Sequence, residues 1–174
     1  MSILKPAVSS KDHIQGNANA AIELVEYGDY QCPHCGRAYP IIKRVQEKMG
    51  DQLKFVFRNF PLAEIHPDAI NAAKASEAAA LQDKFWEMHD HIFEHQNRLN
   101  YALLVRYASQ LHLNVEQFET DFAKPALAKK VDDDFESGVR SGVNATPSFF
   151  INGEKYNESW EEAPFLHYLQ GLIK

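Results

Sequence analysis

The chain has 174 residues, 45% of them hydrophobic and 11% aromatic, enough for one well-buried core with a sub-domain attached. Its formal net charge is −6, and its adjacent cations, Lys43-Arg44 and Lys129-Lys130, read as isolated pairs on solvated helix surface, which argues against nucleic acid and acidic membrane partners. No apolar run approaches a membrane span, and Met1 to Asn19 lacks the apolar centre of a secretory signal. The expected location is cytoplasmic if Met1 is the native start, and periplasmic or otherwise extracytoplasmic if a signal has been trimmed.

In chain order, Ala21 to Tyr27 (AIELVEY) alternates and is apolar enough for a buried strand, with Ile22, Leu24 and Glu26 on one face. Two cysteines follow in Cys32-Pro33-His34-Cys35. A helical run succeeds them, with apolar positions at Ala38, Ile41/Ile42, Val45 and Met49 and a kink expected at Pro40. After a Gly50-Asp51 turn, Leu53 to Phe57 (LKFVF) is a second strand, parallel to the first through a right-handed crossover. A helical block comes next. Its segments are marked by Ala69–Ala80, by Phe85, Met88, His89, Ile92 and Phe93, by Leu103–Leu111 with Asn100 as N-cap, and by Val115–Phe122. A further helix through Leu127, Val131, Phe135 and Val139 leads to a hairpin, Ser148 to Ile151 and Glu154 to Tyr156, turned by Asn152-Gly153. A last amphipathic helix runs from about Glu161 through Phe165, Leu166, Leu169 and Leu172.

Cys32 and Cys35 are the only cysteines. A bridge between them closes too small a loop to act as a structural staple, so the pair calls for a chemical explanation. At a helix start, a thiolate meets the positive end of the helix dipole and unpaired N–H groups. Next to a βαβ pattern, this spacing reads as a redox motif. The alternative is a zinc-binding protein that joins Cys32 and Cys35 to histidines, since His91 and His95 stand four apart on one helix. The gap between the two halves is far longer than that of a zinc finger, and His89, His91 and His95 read better as one edge and one exposed face of an amphipathic helix. Asn157-Glu158-Ser159 matches a glycosylation sequon without other signs of a secreted glycoprotein.

The order β-α-β, helices, β-β-α, with Cys-x-x-Cys opening the first helix, resembles the thioredoxin fold. The helical block and the Pro-His between the cysteines resemble its DsbA-like branch. VEYGDYQCPHC (Val25 to Cys35), KFWEMHD (Lys84 to Asp90) and GVNATPSFFING (Gly142 to Gly153) carry the likeness. It implies an α/β thioredoxin-like domain over 12–62 and 124–174, an inserted helical sub-domain over 63–123, and an N-terminal extension over 1–11. It also implies a thiol–disulfide oxidoreductase without bound cofactor or metal, exchanging disulfides with protein or small-molecule thiols and recycled by a redox partner. Cys32 is then the exposed nucleophile that forms the mixed disulfide, and Cys35 the shielded resolving thiol. Pro33 suits the first helical turn, and His34 donates to the Cys32 sulfur or sets positive charge near it. Glu26 is the buried acid that relays a proton to or from Cys35. Thr146-Pro147 is the family's cis-proline site, where the backbone of Thr146 pairs with an extended substrate. Pro-His favours an oxidising pair, whereas the missing signal implies a reducing compartment, so oxidase, reductase, isomerase and peroxide-linked roles all stay open.

Overall fold

A computed structural model describes residues 1–173. Its centre is β2 (Ile22–Gly28), buried from Leu24 to Gly28. This strand pairs in parallel with β3 (Leu53–Asn59), from Ile22 opposite Leu53 to Gly28 opposite Asn59. On its other edge it runs antiparallel to β4 (Ser148–Ile151), with Glu26 opposite Phe149. Covering on both faces explains why β2 and β3 read as nearly continuous apolar runs. β1 (His13–Gly16) lies antiparallel outside β3, and β5 (Glu154–Tyr156) outside β4, giving the order β1-β3-β2-β4-β5.

The crossover between β2 and β3 is α1 (Pro33–Met49), which runs on through Pro40 and buries Cys35, Ala38, Ile41, Ile42, Val45 and Met49. These side chains pack with Ile22, Leu24, Phe55 and Phe57 on one face of the sheet. The same core includes apolar faces of α2 (Ala69–Ala80), α3 (Phe85–Glu94), α4 (Tyr101–Gln110), α5 (Val115–Phe122) and α7 (Glu162–Gly171). Asn100 caps α4 by accepting the Leu103 N–H, and Asn114 caps α5 by accepting that of Gln117. On the opposite face, Val25, Tyr27, Val56, Phe60 and Phe150 form a second core against Leu4 and Val143. Here α6 (Pro125–Arg140) approaches so closely that a Cβ on Gly138 would collide with the rings of Phe60 and Tyr27. The β4–β5 turn places Asn152 and Gly153 at φ 49° and 86°, the left-handed pair a two-residue hairpin requires. Among the described residues, no helix is long and apolar enough to cross a membrane.

Three features depart from the sequence reading. β1 was not anticipated, and the first twelve residues are built into the molecule. Ile3 bridges Glu154, and the Leu4 N–H donates to the Gly153 carbonyl. The Arg58 guanidinium, 3% exposed, donates to both oxygens of Asp12, to the carbonyls of Pro6 and Ala7, and to the Tyr27 hydroxyl. Lys130, expected on a solvated surface, instead reaches the buried carboxylates of Asp134 at 2.8 Å and Glu77 at 3.8 Å. Long cations can lay an apolar stem along the protein while the ammonium pairs with buried charge, which a pair of adjacent lysines in a sequence does not reveal.

Burial alone would raise the pKa of Asp12, but the hydrogen bonds from Arg58 and the Ser9 N–H, together with the charges of Arg58 and Lys130, outweigh it and hold the carboxyl below its ordinary range. The stability this pair contributes is therefore present above about pH 4 and fades as pH falls through the depressed folded value. Arg58→Met should leave Asp12 without its cation and the carbonyls of Pro6 and Ala7 without their donor, and cost about 3–5 kcal/mol in urea unfolding at pH 7. The deficit should shrink below about pH 4. A loss at pH 7 under about 1 kcal/mol, as for a surface pair, would show that this centre does not anchor the N-terminal segment.

Candidate active site

β2 ends at Gly28, and the chain turns through Asp29, Tyr30 and Gln31 before entering α1. Asp29 shapes the turn. Its carbonyl accepts the Cys32 N–H at 3.1 Å and its Oδ1 the Gln31 N–H at 2.8 Å. Its Oδ2 reaches the next loop, accepting the Leu62 N–H at 2.9 Å and meeting His66 Nδ1 at 2.7 Å. Cys32 is then the N-cap of α1, at φ −69° and ψ 124°, and Pro33 takes the first helical position, where a missing N–H costs nothing.

Both thiols are free and both are buried, Cys35 fully and Cys32 with 4% of its surface exposed. The expected contrast between an exposed and a shielded sulfur is therefore replaced by an electrostatic one. Cys32 Sγ is covered by the segment before β4, where its thiol donates to the Thr146 carbonyl at 3.6 Å. The Thr146–Pro147 peptide is cis. The neutral Cys32 thiol makes no capping bond, but a thiolate there is well served. A hydrogen bond from Cys35 lowers its pKa most. Burial opposes this, Thr146 adds to it, and the backbone N–H groups of Cys35 and His34 complete the set, bringing Cys32 down to about 5. The Thr146 hydroxyl is buried and has no hydrogen-bond partner. Cys35 moves the other way. Burial pushes it well above the usual thiol range, followed by its bond to Cys32 and the charges of Glu26 and Cys32.

His34 acts on the sulfur through its backbone, while its side chain is exposed. Glu26 is 2% exposed, and its Oε1 has no hydrogen-bond partner. Burial, with the Cys32 charge in second place, pushes its carboxyl up to about 8. Gly28 leaves room for that oxygen, since a Cβ there would sit 3.1 Å from Glu26 Oε1 and overlap the Phe57 ring.

Other groups border the thiols without having been singled out by sequence: Asp29, whose N–H lies 3.4 Å from Cys35 Sγ, its partner His66, and Gln96, whose amide reaches the carbonyls of Tyr30 and Cys32. Leu62 and His66 each adjoin a proline, in Pro61-Leu62 and His66-Pro67, and that loop composition is the one local signal there. The Tyr30 hydroxyl meets His89 Nδ1 at 2.9 Å, and burial holds that imidazole neutral by pushing its pKa well below the usual histidine range. His91 and His95 stack on each other at 4.4 Å beside Tyr107. Among the described residues, no three His, Cys, Asp or Glu side chains are grouped to hold a metal ion.

A family model described as Thioredoxin matches residues 8–170. The Na(+)/H(+) antiporter NhaA 1 of Mycolicibacterium vanbaalenii is 41% identical over 172 residues, which cover 98% of this chain and 28% of that protein. This chain thus spans little more than a quarter of the curated relatives it matches. Among solved structures, oxidised BdbD from Bacillus subtilis superimposes with a TM-score of 0.83 at 23% identity, covering 98% of this chain and 97% of that one. Wolbachia pipientis alpha-DsbA1 also gives 0.83 at 23% identity, covering 95% and 92%. Both share the fold described above.

A carboxyl raised to about 8 makes the folded protein hold a proton that the unfolded chain releases near its ordinary value. Stability then falls as pH rises between those two values, by about 1.4 kcal/mol per unit at most, and levels off above. Glu26→Gln removes that slope. Its stability relative to the wild type, measured by urea unfolding of the reduced proteins, should climb from about pH 5 to about pH 8. A difference that is flat over this range would mean that Glu26 is ionised in the folded protein.

Proposed function

We propose that this chain, which belongs to the thioredoxin family, is a thiol–disulfide oxidoreductase that cycles Cys32 and Cys35 between dithiol and disulfide. One observation carries the reading: two adjacent sulfurs at one helix start are driven apart in acidity, Cys32 down to about 5 and Cys35 well up. The antiporter name belongs to relatives of which this chain spans little more than a quarter, and the redox chemistry is proposed for this chain alone.

In the oxidising direction, a substrate thiolate attacks Cys32 Sγ of the Cys32–Cys35 bridge. The bond between the two cysteines breaks, and Cys35 leaves with the electron pair. The neutral Glu26 carboxyl then supplies the proton that Cys35 requires. A second substrate thiolate attacks the substrate sulfur of the mixed disulfide and expels Cys32, the better leaving group because its thiolate is stabilised. The substrate loses two electrons and the protein ends as the dithiol. A redox partner of higher potential must then re-form the bridge. The Thr146 backbone, already against Cys32 Sγ, is the edge on which an extended substrate would align.

The thiolate also biases the direction. Lowering the Cys32 pKa from an ordinary thiol value to about 5 favours the reduced form at pH 7 by at most about 2.7 kcal/mol, near 60 mV for a two-electron couple, and screening at the site reduces both figures. That shift makes the pair a stronger oxidant of substrate thiols than the same two cysteines would be without it.

In the reduced protein, Cys32 should be alkylated well below neutral pH, with an apparent pKa near 5. Cys35→Ser should accumulate mixed disulfides with a reduced substrate protein after oxidant treatment, whereas Cys32→Ser should be inactive. An alkylation pKa above about 8, the unperturbed value, or adducts that build up only on Cys32→Ser, would overturn this assignment.

A further inference from the structure

The N-cap of α1 is held from outside its own helix. Gln96 lies in the connection between α3 and α4, and its Nε2 donates to the carbonyls of Cys32 at 2.6 Å and Tyr30 at 3.0 Å. Cys32 needs such a hold. A serine or aspartate N-cap closes onto its helix with its own side-chain oxygen, but the Cys32 thiol makes no capping bond. A bridge to Cys35 would remove the charge that makes the sulfur a good acceptor. The Cys32 carbonyl is shared, since it also accepts the Gly36 N–H at 3.0 Å in the first turn of the helix.

Gly36 supplies an independent sign. It is not among the glycines with positive φ, so its backbone does not demand glycine, and glycine in a helix costs roughly 1 kcal/mol relative to alanine. The space a Cβ would take is filled by the oxygen, carbon and nitrogen of the Gln96 amide.

We infer that Gln96 is a positioning residue of the redox site: from the helical block, it fixes the carbonyls of Tyr30 and Cys32, and with them the direction in which Cys32 presents its sulfur to Thr146 and to the first N–H groups of α1. The inference rests on the thiol–disulfide reading above. Gln96 touches neither sulfur, so its effect must pass through the cap.

Two variants test it. Gln96→Met keeps the length and bulk of the side chain and removes the donor. Gly36→Ala leaves Gln96 in the chain and displaces its amide. The measurements are the pH profile of Cys32 alkylation in the reduced protein and the reduction potential. Both variants should raise the apparent Cys32 pKa by about half a unit to one unit, the scale of one hydrogen bond, and lower the potential by about 15–30 mV. A profile and potential that stay put in both, even with a lower melting temperature, would make Gln96 a structural tie and overturn the inference. A wild-type protein with neither an acidic thiol nor disulfide exchange would instead overturn the oxidoreductase reading, and this inference with it.

Discussion

A negative charge on one sulfur at the start of a helix is the constraint around which the rest of this structure is arranged. A thiolate with little access to water is costly unless donors replace the water it has lost. Here they come from two parts of the chain: the Cys35 thiol and the N–H groups of His34 and Cys35 from α1, and Thr146 from the segment before β4. They converge only if β2, α1 and β4 are in register, with Glu26 opposite Phe149 and Tyr27 opposite Ser148. The sheet acts as the jig that assembles the donor set.

The loop carrying Cys32 is secured on two sides. Asp29 ties it to the segment after β3 through Leu62 and His66, and Gln96 ties it to the helical block. The polar centre around Arg58 secures the chain's first residues to β3, Tyr27 and Asp12. The two sets of bonds divide the labour, one holding a reactive loop and the other closing the sheet's far face.

How much could be read from the sequence followed how local each feature is. β2, α1, β3, the β4–β5 hairpin and α7 announce themselves through periodicity and turn residues within a few positions of one another. Cys32 and Cys35 stand out by their spacing and setting, whereas Glu26 and Thr146 were singled out through the family resemblance. β1 escaped because HIQG is four residues long and only partly buried. Residues 1–12 escaped because carbonyls bound to Arg58 leave no apolar signature. Asp29, His66 and Gln96 are ordinary polar residues, and their partners lie 37 positions away for the Asp29–His66 pair and 64 or more for Gln96. The burial of Cys32 was misjudged for the same reason, since the group covering it arrives from 114 positions along the chain.

Glu26 and Cys32 lie on opposite sides of neutrality, with values near 8 and near 5, and each charge disfavours the other. Through that interval the reduced pocket holds one negative charge, on sulfur, and keeps the carboxyl proton. Forming the bridge abolishes the sulfur charge and with it one of the two causes that raise Glu26. The carboxyl becomes the stronger acid in the oxidised protein, so electron transfer carries a proton balance with it. Reduction draws a proton into the pocket and oxidation lets it go, as in any two ligands linked through one site. The buried carboxylic acid is thus a ledger of the redox state, legible from outside as proton uptake and release.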